Sequence, residues 1–305
     1  MMVEDVVKGT GGAIGLALGS GGARGLAHLG VLEFLEEKGI RPTVVAGASM
    51  GAIVGAAYAA GRLDDARRVV DNLDVTRAAG LFIEFGVHRS GFIEGRRVME
   101  FLARFIPDVL IEDLPIRFAA LATDIETGEA VVIDRGKLLT AVRASLSIPG
   151  LFTPVRRGRR LLVDGGLSSP VPVATARKLG AGNVVAVNVD NAASCPYNTR
   201  RLPKVVDRAI DLSDRIRAGI RRNLPASMPV LSSALSGLQT GVGLFDVMLK
   251  TMRICEDRIA HAELAATSPD LLVEPPVGDI ATLDFTRADD AVRAGHDAAA
   301  AAWPA

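Results

Sequence analysis

Only two cysteines, Cys195 and Cys255, occur in the 305 residues. Two thiols build neither a disulfide framework nor a four-ligand zinc centre, and a chain of this length needs neither for stability. A reducing compartment is the simplest expectation. Net charge is lacking as well, because 35 basic residues balance 35 acidic ones. A dedicated nucleic-acid binder carries a basic excess, so no nucleic-acid partner is expected. Residues 1–12 have no apolar core of a secretory signal and mix Glu4, Asp5 and Lys8 with glycines, which makes the cytoplasm the expected location. Nor does a membrane span stand out, since a span needs about 20 apolar residues in a row. The uncharged stretch Pro42 to Gly61 is broken by Gly47, Ser49, Gly51 and Gly55 and reads as a strand followed by a helix. The one from Asn223 to Phe245 contains Pro225 and Pro229 and reads as a loop or a helix of small residues.

What is present is a globular composition, 49% hydrophobic and 23% charged, which excludes disorder, collagen and coiled coil. Apolar periodicity and turn signals give an alternation of strands and helices. Strands are expected at Ala13–Leu18, Val44–Ala46, Arg117–Asp124, Ala130–Ile133, Leu161–Val163, Val184–Val189 and Leu271–Glu274. Helices are expected over Arg24–Lys38, Met50–Ala60, Lys137–Ser147, Val173–Leu179, 203–222, 246–266 and 287–302. Such alternation predicts an α/β fold, a three-layer α/β/α sandwich around a mainly parallel sheet. Residues 1–12 form a tail, 13–190 the core with the motifs, and 191–305 a helical region whose last strand completes the same domain.

Gly47-Ala48-Ser49-Met50-Gly51 has the G-x-S-x-G spacing of a nucleophile turn, in which small flanking residues let a strained strand-turn-helix expose a hydroxyl. The helix after Ser49 aims its free N–H groups, that of Met50 first, at any oxyanion formed there. A second glycine-rich turn, Ser20-Gly21-Gly22-Ala23-Arg24-Gly25, also joins a strand to a helix and presents backbone N–H groups to an anion. It reads either as a nucleotide loop or as an oxyanion hole serving Ser49. No Gly-Lys-Ser/Thr follows, and G-x-G-x-x-G is not completed from Gly19 or from Gly21. A serine needs a base, and only His28, His88, His261 and His296 are available. The order Ser49, Asp164, His261 would suit an α/β-hydrolase triad, but that fold builds several strands before its elbow and here one precedes it. His28 reads as a packed helix residue. Asp164, ending a strand before Gly165 and Gly166, is either a turn-closing Asp or a carboxylate brought to a neighbouring strand end.

Taken in order, Ser20 to Gly25, Gly47 to Gly51 and Asp164-Gly165-Gly166 resemble the three signature blocks of the patatin-like phospholipases, above all the compact bacterial members. Ala144 to Val155 and Asp164 to Val173 are similar as well. The resemblance implies a hydrolase with a Ser-Asp dyad: Ser49 as nucleophile, Asp164 as proton acceptor and the N–H groups of Gly21 and Gly22 as oxyanion donors. Ala23, Arg24, Gly25, Gly47, Gly51, Gly165 and Gly166 support the motifs. One departure is Ser20, which stands where the family has the first loop glycine and suits that place only with a negative φ. The implied reaction is hydrolysis of a fatty acyl ester through an acyl-enzyme, with no cofactor and no metal. An Asp of ordinary pKa, about 3.9, is a weak base for a serine proton, so the oxyanion hole is expected to carry much of the barrier.

Substrate class is less legible. From Cys195 to Cys255, ten basic residues face four acidic ones, with Arg201, Arg208, Arg215 and Arg222 seven residues apart. That stripe reads as a contact for anionic lipid at the inner face of a membrane or as a solvated helix face. Arg156, Arg157, Arg159 and Arg160 either hold a phosphate or solvate a hairpin. Arg143 and Asp124 read as structural. The alternative to a lipid acyl hydrolase is a low-turnover regulatory or lipid-binding protein that keeps the fold. The sequence does not set the oligomeric state.

Overall fold

The computed structural model describes residues 12–72, 93–190 and 244–304, with side chains of the last stretch from 247 onward. His88, Cys195, the helix expected over 203–222 with its arginine stripe, and nearly all of the uncharged stretch from Asn223 to Phe245 lie outside the described residues.

The seven expected strands appear as β1 (Ile14–Leu18), β2 (Val44–Ala48), β3 (Arg117–Asp124), β4 (Ala130–Ile133), β6 (Arg160–Asp164), β7 (Asn183–Val187) and β8 (Leu271–Val273), and the sequence reading missed β5 (Val155–Arg157). They form one sheet with the path β5-β6-β3-β2-β1-β7-β8, and β4 also pairs with β3. β3, β2, β1, β7 and β8 are mutually parallel, while β4 and β6 run antiparallel to β3. The sheet is thus mainly parallel, as the alternation of elements predicts. The helices are α1 (Ala27–Glu37), α2 (Met50–Ala59), α3 (Leu63–Asp71), α4 (Arg96–Leu102), α5 (Leu138–Ser145), α6 (Val173–Lys178), α7 (Leu244–Ala266) and α8 (Ala288–Ala302).

Alternation along the strands divides the core in two, since successive side chains point to opposite faces. Leu16, Leu18, Val45 and Val187 join α1, α2, α5 and α8 in one apolar cluster. Ala17, Val44, Ala46 and Ala186 join Val173 and Ala176 of α6 and Ala260 of α7 in the other. A sheet buried on both faces accounts for strands that read as continuous apolar runs rather than alternating ones.

Register explains how two distant segments meet. Leu121 of β3 pairs with Ala48 of β2 on one side and Val132 of β4 on the other. Ala122, one rung on, pairs with Val131 of β4 and Asp164 of β6. β2 and β6 therefore share one flank of β3, and β6 runs antiparallel toward the carboxyl end of β2. The strands meet head to head, with Ser49 and Asp164 at the junction. The β5–β6 hairpin stands beyond the carboxyl end of β2, and Arg156, Arg157, Arg159 and Arg160 on it are exposed.

α8 packs along α1 through two mid-helix glycines. A Cβ on Gly30 would lie 1.8 Å from the carbonyl oxygen of Val292, and one on Gly295 would lie 1.9 Å from that of Ala27. Gly in a helix interior costs about 1 kcal/mol relative to Ala, which the close approach of the two backbones offsets. Gly30→Ala should lower stability by about 1–3 kcal/mol through overpacking, seen as a Tm about 2–5 °C lower in thermal unfolding. An unchanged Tm would mean that the helices can separate without cost.

Candidate active site

The turn between β2 and α2 carries the only non-glycine residue with positive φ among the described residues, Ser49 at φ 52° and ψ −117°. Such a conformation costs about 1–3 kcal/mol and persists only where the surroundings enforce it. The enforcement is visible in the flanking glycines. A Cβ on Gly47 would sit 2.4 Å from the Gly51 carbonyl oxygen, and one on Gly51 would sit 2.1 Å from that of Leu18. The backbone N–H of Ser49 donates to Ser145 Oγ at 2.9 Å, and that hydroxyl donates to the Leu121 carbonyl at 2.5 Å. Ser145, at the end of α5 and fully buried, thus ties the turn to β3.

Asp164 is pinned by its backbone and its side chain. Its N–H donates to the Ser147 carbonyl (3.0 Å), and its own carbonyl accepts from Thr123 Oγ1 (2.7 Å). Oδ1 accepts from the N–H of Gly166 (2.8 Å), and Oδ2 accepts from Ser49 Oγ (2.7 Å). Gly165 and Gly166 have steric reasons of their own. A Cβ at the first would fall 2.1 Å from the Leu121 carbonyl oxygen, and one at the second 2.7 Å from Ser20 Oγ.

The glycine-rich loop follows the carboxyl end of β1, the strand beside β2, and borders one cavity with this pair. Gly21 and Gly22 have φ 151° and 56°, values that glycine adopts at no steric cost. Ser20 is not among the positive-φ residues, so it can occupy the position that the resemblance left in doubt. Its hydroxyl donates to Glu256 Oε2 at 3.2 Å. The neighbours of the two glycines are bonded, Ser20 N–H to the Pro170 carbonyl and Ala23 N–H to that of Thr282. The N–H groups of Gly21 and Gly22 donate to no acceptor among the described residues. The segment after Gly22 is a 3-10 turn (Gly22–Leu26) and not the start of the α-helix expected from Arg24. Arg24 is turned inward and buried, with its guanidinium 2.5 Å from Asp190.

A cavity of about 20 Å³, room for one water molecule, joins the three motifs. Gly21, Gly22, Ser49 and Asp164 line it, and Leu249, Met252, Arg253 and Glu256 of α7 roof it. Burial dominates its electrostatics. Desolvation raises the pKa of Asp164 to about 6, with the Asp190 charge adding to it against the hydrogen bonds from Ser49 and Gly166. The sequence-level expectation of an ordinary, weakly basic Asp is therefore corrected. Glu256 is held well above the usual carboxylate range by burial and by Asp190 and Asp164, with the Ser20 hydroxyl and Arg24 opposing.

No histidine among the described residues reaches the pair. His28 is fully buried, its pKa lowered to about 4 by desolvation, and its neutral Nε2–H donates to the Gly19 carbonyl at 2.8 Å. His261 donates to the Asp257 carbonyl within α7, and His296 pairs with Glu37. Arg143 donates to Ser147 Oγ and to the carbonyls of Glu94 and Thr153, bracing the segment before β5. Asp124 caps the turn at Glu126 and faces Arg160. Both are structural, as expected.

Ser145, Thr123, Asp190 and Glu256 escaped the reading of the sequence. Glu256 had a legible signal, since with Leu249, Met252, Ala260 and Glu263 it falls on the inward stripe of α7 at helical spacing. The others are polar residues at strand or helix ends, where position alone says little.

Residues 16–177 match the family described as patatin-like phospholipase. An uncharacterized NTE family protein of Mycobacterium tuberculosis is 31% identical over 93% of this chain and 89% of its own length. A second from the same organism is 34% identical over 97% of this chain, which spans 47% of that longer protein. The lysophospholipase NTE1 of Debaryomyces hansenii is 26% identical over 93% of this chain and 17% of its own length. By its three motifs and by these relatives, the chain belongs to the patatin-like phospholipase family.

Proposed function

We propose that the protein is a lipid acyl hydrolase, of phospholipase A, lysophospholipase or carboxylesterase type, working through an acyl-enzyme on Ser49. The observation that carries this reading is the 2.7 Å hydrogen bond from Ser49 Oγ to Asp164 Oδ2, made from a strained turn that shares a cavity with Gly21 and Gly22, whose N–H groups have no acceptor among the described residues. In the first half-reaction Ser49 Oγ attacks the ester carbonyl carbon while Asp164 takes its proton. The negative charge on the carbonyl oxygen is received by the N–H groups of Gly21, Gly22 and Met50, and each such donor is worth about 10²–10³ in rate. Collapse breaks the bond to the alcohol, which leaves with the proton from Asp164. Water repeats the sequence on the acyl-Ser49 and releases the fatty acid.

An Asp of pKa about 6 is roughly a hundredfold stronger base than an ordinary one and still ionised at neutral pH. That removes part of the burden from the oxyanion hole. Leu249 and Met252 give the cavity over Ser49 the apolar part of its roof. The name of the Debaryomyces relative makes lysophospholipids the first substrates to examine. The same reading has the enzyme act in the cytoplasm, meeting anionic lipid peripherally through the arginine hairpin of β5 and β6. Among the described residues no helix is long and apolar enough to cross a membrane.

Hydrolysis of an ester series, from short soluble esters to phospholipid vesicles, should vanish in Ser49→Ala. A folded mutant that keeps the wild-type rate would exclude the mechanism, and a folded wild type inert on every ester would favour the low-turnover alternative. Because the base must be ionised, kcat/KM should climb about tenfold per pH unit up to about pH 6 and level off above it; a limb near pH 4 would show that Asp164 is not desolvated in the free enzyme. Reversing Arg156 and Arg157 to Glu should weaken sedimentation with anionic vesicles, and undiminished binding would remove the hairpin from the lipid contact.

A further inference from the structure

Asp190 belongs to no motif and does not line the dyad cavity, yet it is buried against the glycine-rich loop. β7 is the parallel neighbour of β1, with Val187 opposite Leu18, so residues 188–190 run alongside Gly19 to Gly21. The N–H of Gly19 donates to the Val187 carbonyl. A Cβ on Gly21 would meet Val189 Cγ2 at 2.5 Å and Asp190 Oδ2 at 3.5 Å. Asp190 is 3% exposed and Arg24 1%. Their ion pair, Nη2 to Oδ1, is 2.5 Å long, and Arg253 Nε of α7 lies 3.3 Å from the same carboxylate oxygen. Arg24 Nη1 also donates to the Ile280 carbonyl at 2.9 Å. The backbone of Asp190 is held by Asn188, whose Oδ1 accepts the Asp190 N–H and whose Nδ2 donates to Glu274 after β8.

A buried charge is tolerated only when paired, and two consecutive glycines do not fix their own peptide planes. The direction of the Gly21 and Gly22 N–H groups is consequently decided by what grips the loop on either side. Before the glycines the grip is the bond from Ser20 N–H to the Pro170 carbonyl. After them it is the bond from Ala23 N–H to the Thr282 carbonyl together with the buried Arg24. We propose that Asp190 is a positioning residue for the oxyanion hole: by holding Arg24 under the loop it orients the N–H groups of Gly21 and Gly22 toward Ser49.

This role rests on the acyl-hydrolase reading above and names a residue that reading does not use. It also carries an electrostatic signature. Asp190 raises the pKa of Asp164, and the other charged groups around that carboxylate are Arg24 of the loop and Arg253 and Glu256 of α7. Neutralising Asp190 removes a repulsion and leaves the Arg24 charge less compensated. Both changes favour ionised Asp164, so the acid limb of the rate should move to lower pH.

The test is Asp190→Asn, which keeps size and removes charge, assayed on the best ester over pH 4–8 and with a fluorophosphonate that labels the active serine. We expect kcat to fall about 10- to 100-fold, short of the full loss of a donor, with KM changed less than about threefold and the acid limb of kcat/KM shifted downward. Labelling of Ser49 should slow in parallel, because the adduct places its own oxygen in the same hole. A folded variant with wild-type kcat, labelling rate and pH limb overturns the role of Asp190 while leaving the hydrolase reading intact. A wild type that neither cleaves esters nor labels overturns both. If Asp190→Asn does not fold, Arg24→Lys replaces it: a drop in kcat of at least tenfold at little-changed KM supports the proposal, and wild-type kcat refutes it.

Discussion

The site depends on a head-to-head meeting of two strands on one flank of β3. β2 ends at the rung of Leu121, and β6 arrives from the opposite direction at the rung of Ala122. Backbone hydrogen bonding therefore fixes the separation of Ser49 and Asp164, and the side chains need only bridge one rung. In the proposed mechanism, a pair made this way requires no third residue to orient the base. The orienting work is divided among the Ser147 carbonyl, Thr123 Oγ1 and the Gly166 N–H, all of which hold Asp164 directly.

One carbonyl lies at the centre of this junction. That of Leu121 receives the hydroxyl of Ser145, which in turn holds the Ser49 N–H, and it stands where a side chain on Gly165 would have to go. Turn, strand end and helix end are packed around a single backbone group, which is how a positive φ at Ser49 is kept without a glycine. The same close approach explains the glycine pattern. Gly47, Gly51 and Gly165 each face a carbonyl oxygen at a distance no Cβ could accept.

Charge is the second organising feature. Asp164, Asp190 and Glu256 are buried close together with Arg24 and Arg253 among them. Desolvation raises the pKa of Asp164 and of Glu256, with the Asp190 charge adding to both and Arg24 opposing at Glu256. In the proposed mechanism this makes Asp164 a stronger base than an ordinary carboxylate, beside a loop whose backbone donors would receive the negative charge. α7 closes this cluster from the far end of the chain and supplies both its apolar and its ionisable walls.

Much of this was written locally. Apolar runs and turn residues determined the strands, the helices and the layered α/β fold, because each element buries a face whose period is visible in its own residues. Glycine spacing marked the turns at Ser49 and after Asp164 and the loop of Gly21 and Gly22, since a turn that admits no Cβ must be spelled with glycine, and the resemblance to the patatin-like phospholipases supplied their implied roles. The inward position of Arg24, the ion pair to Asp190, the bond from Ser20 to Glu256 and the raised pKa of Asp164 were decided only by the tertiary structure. Ser20 and Glu256 are 236 residues apart. Desolvation is a property of everything packed around a group, and no local pattern of residues encodes it.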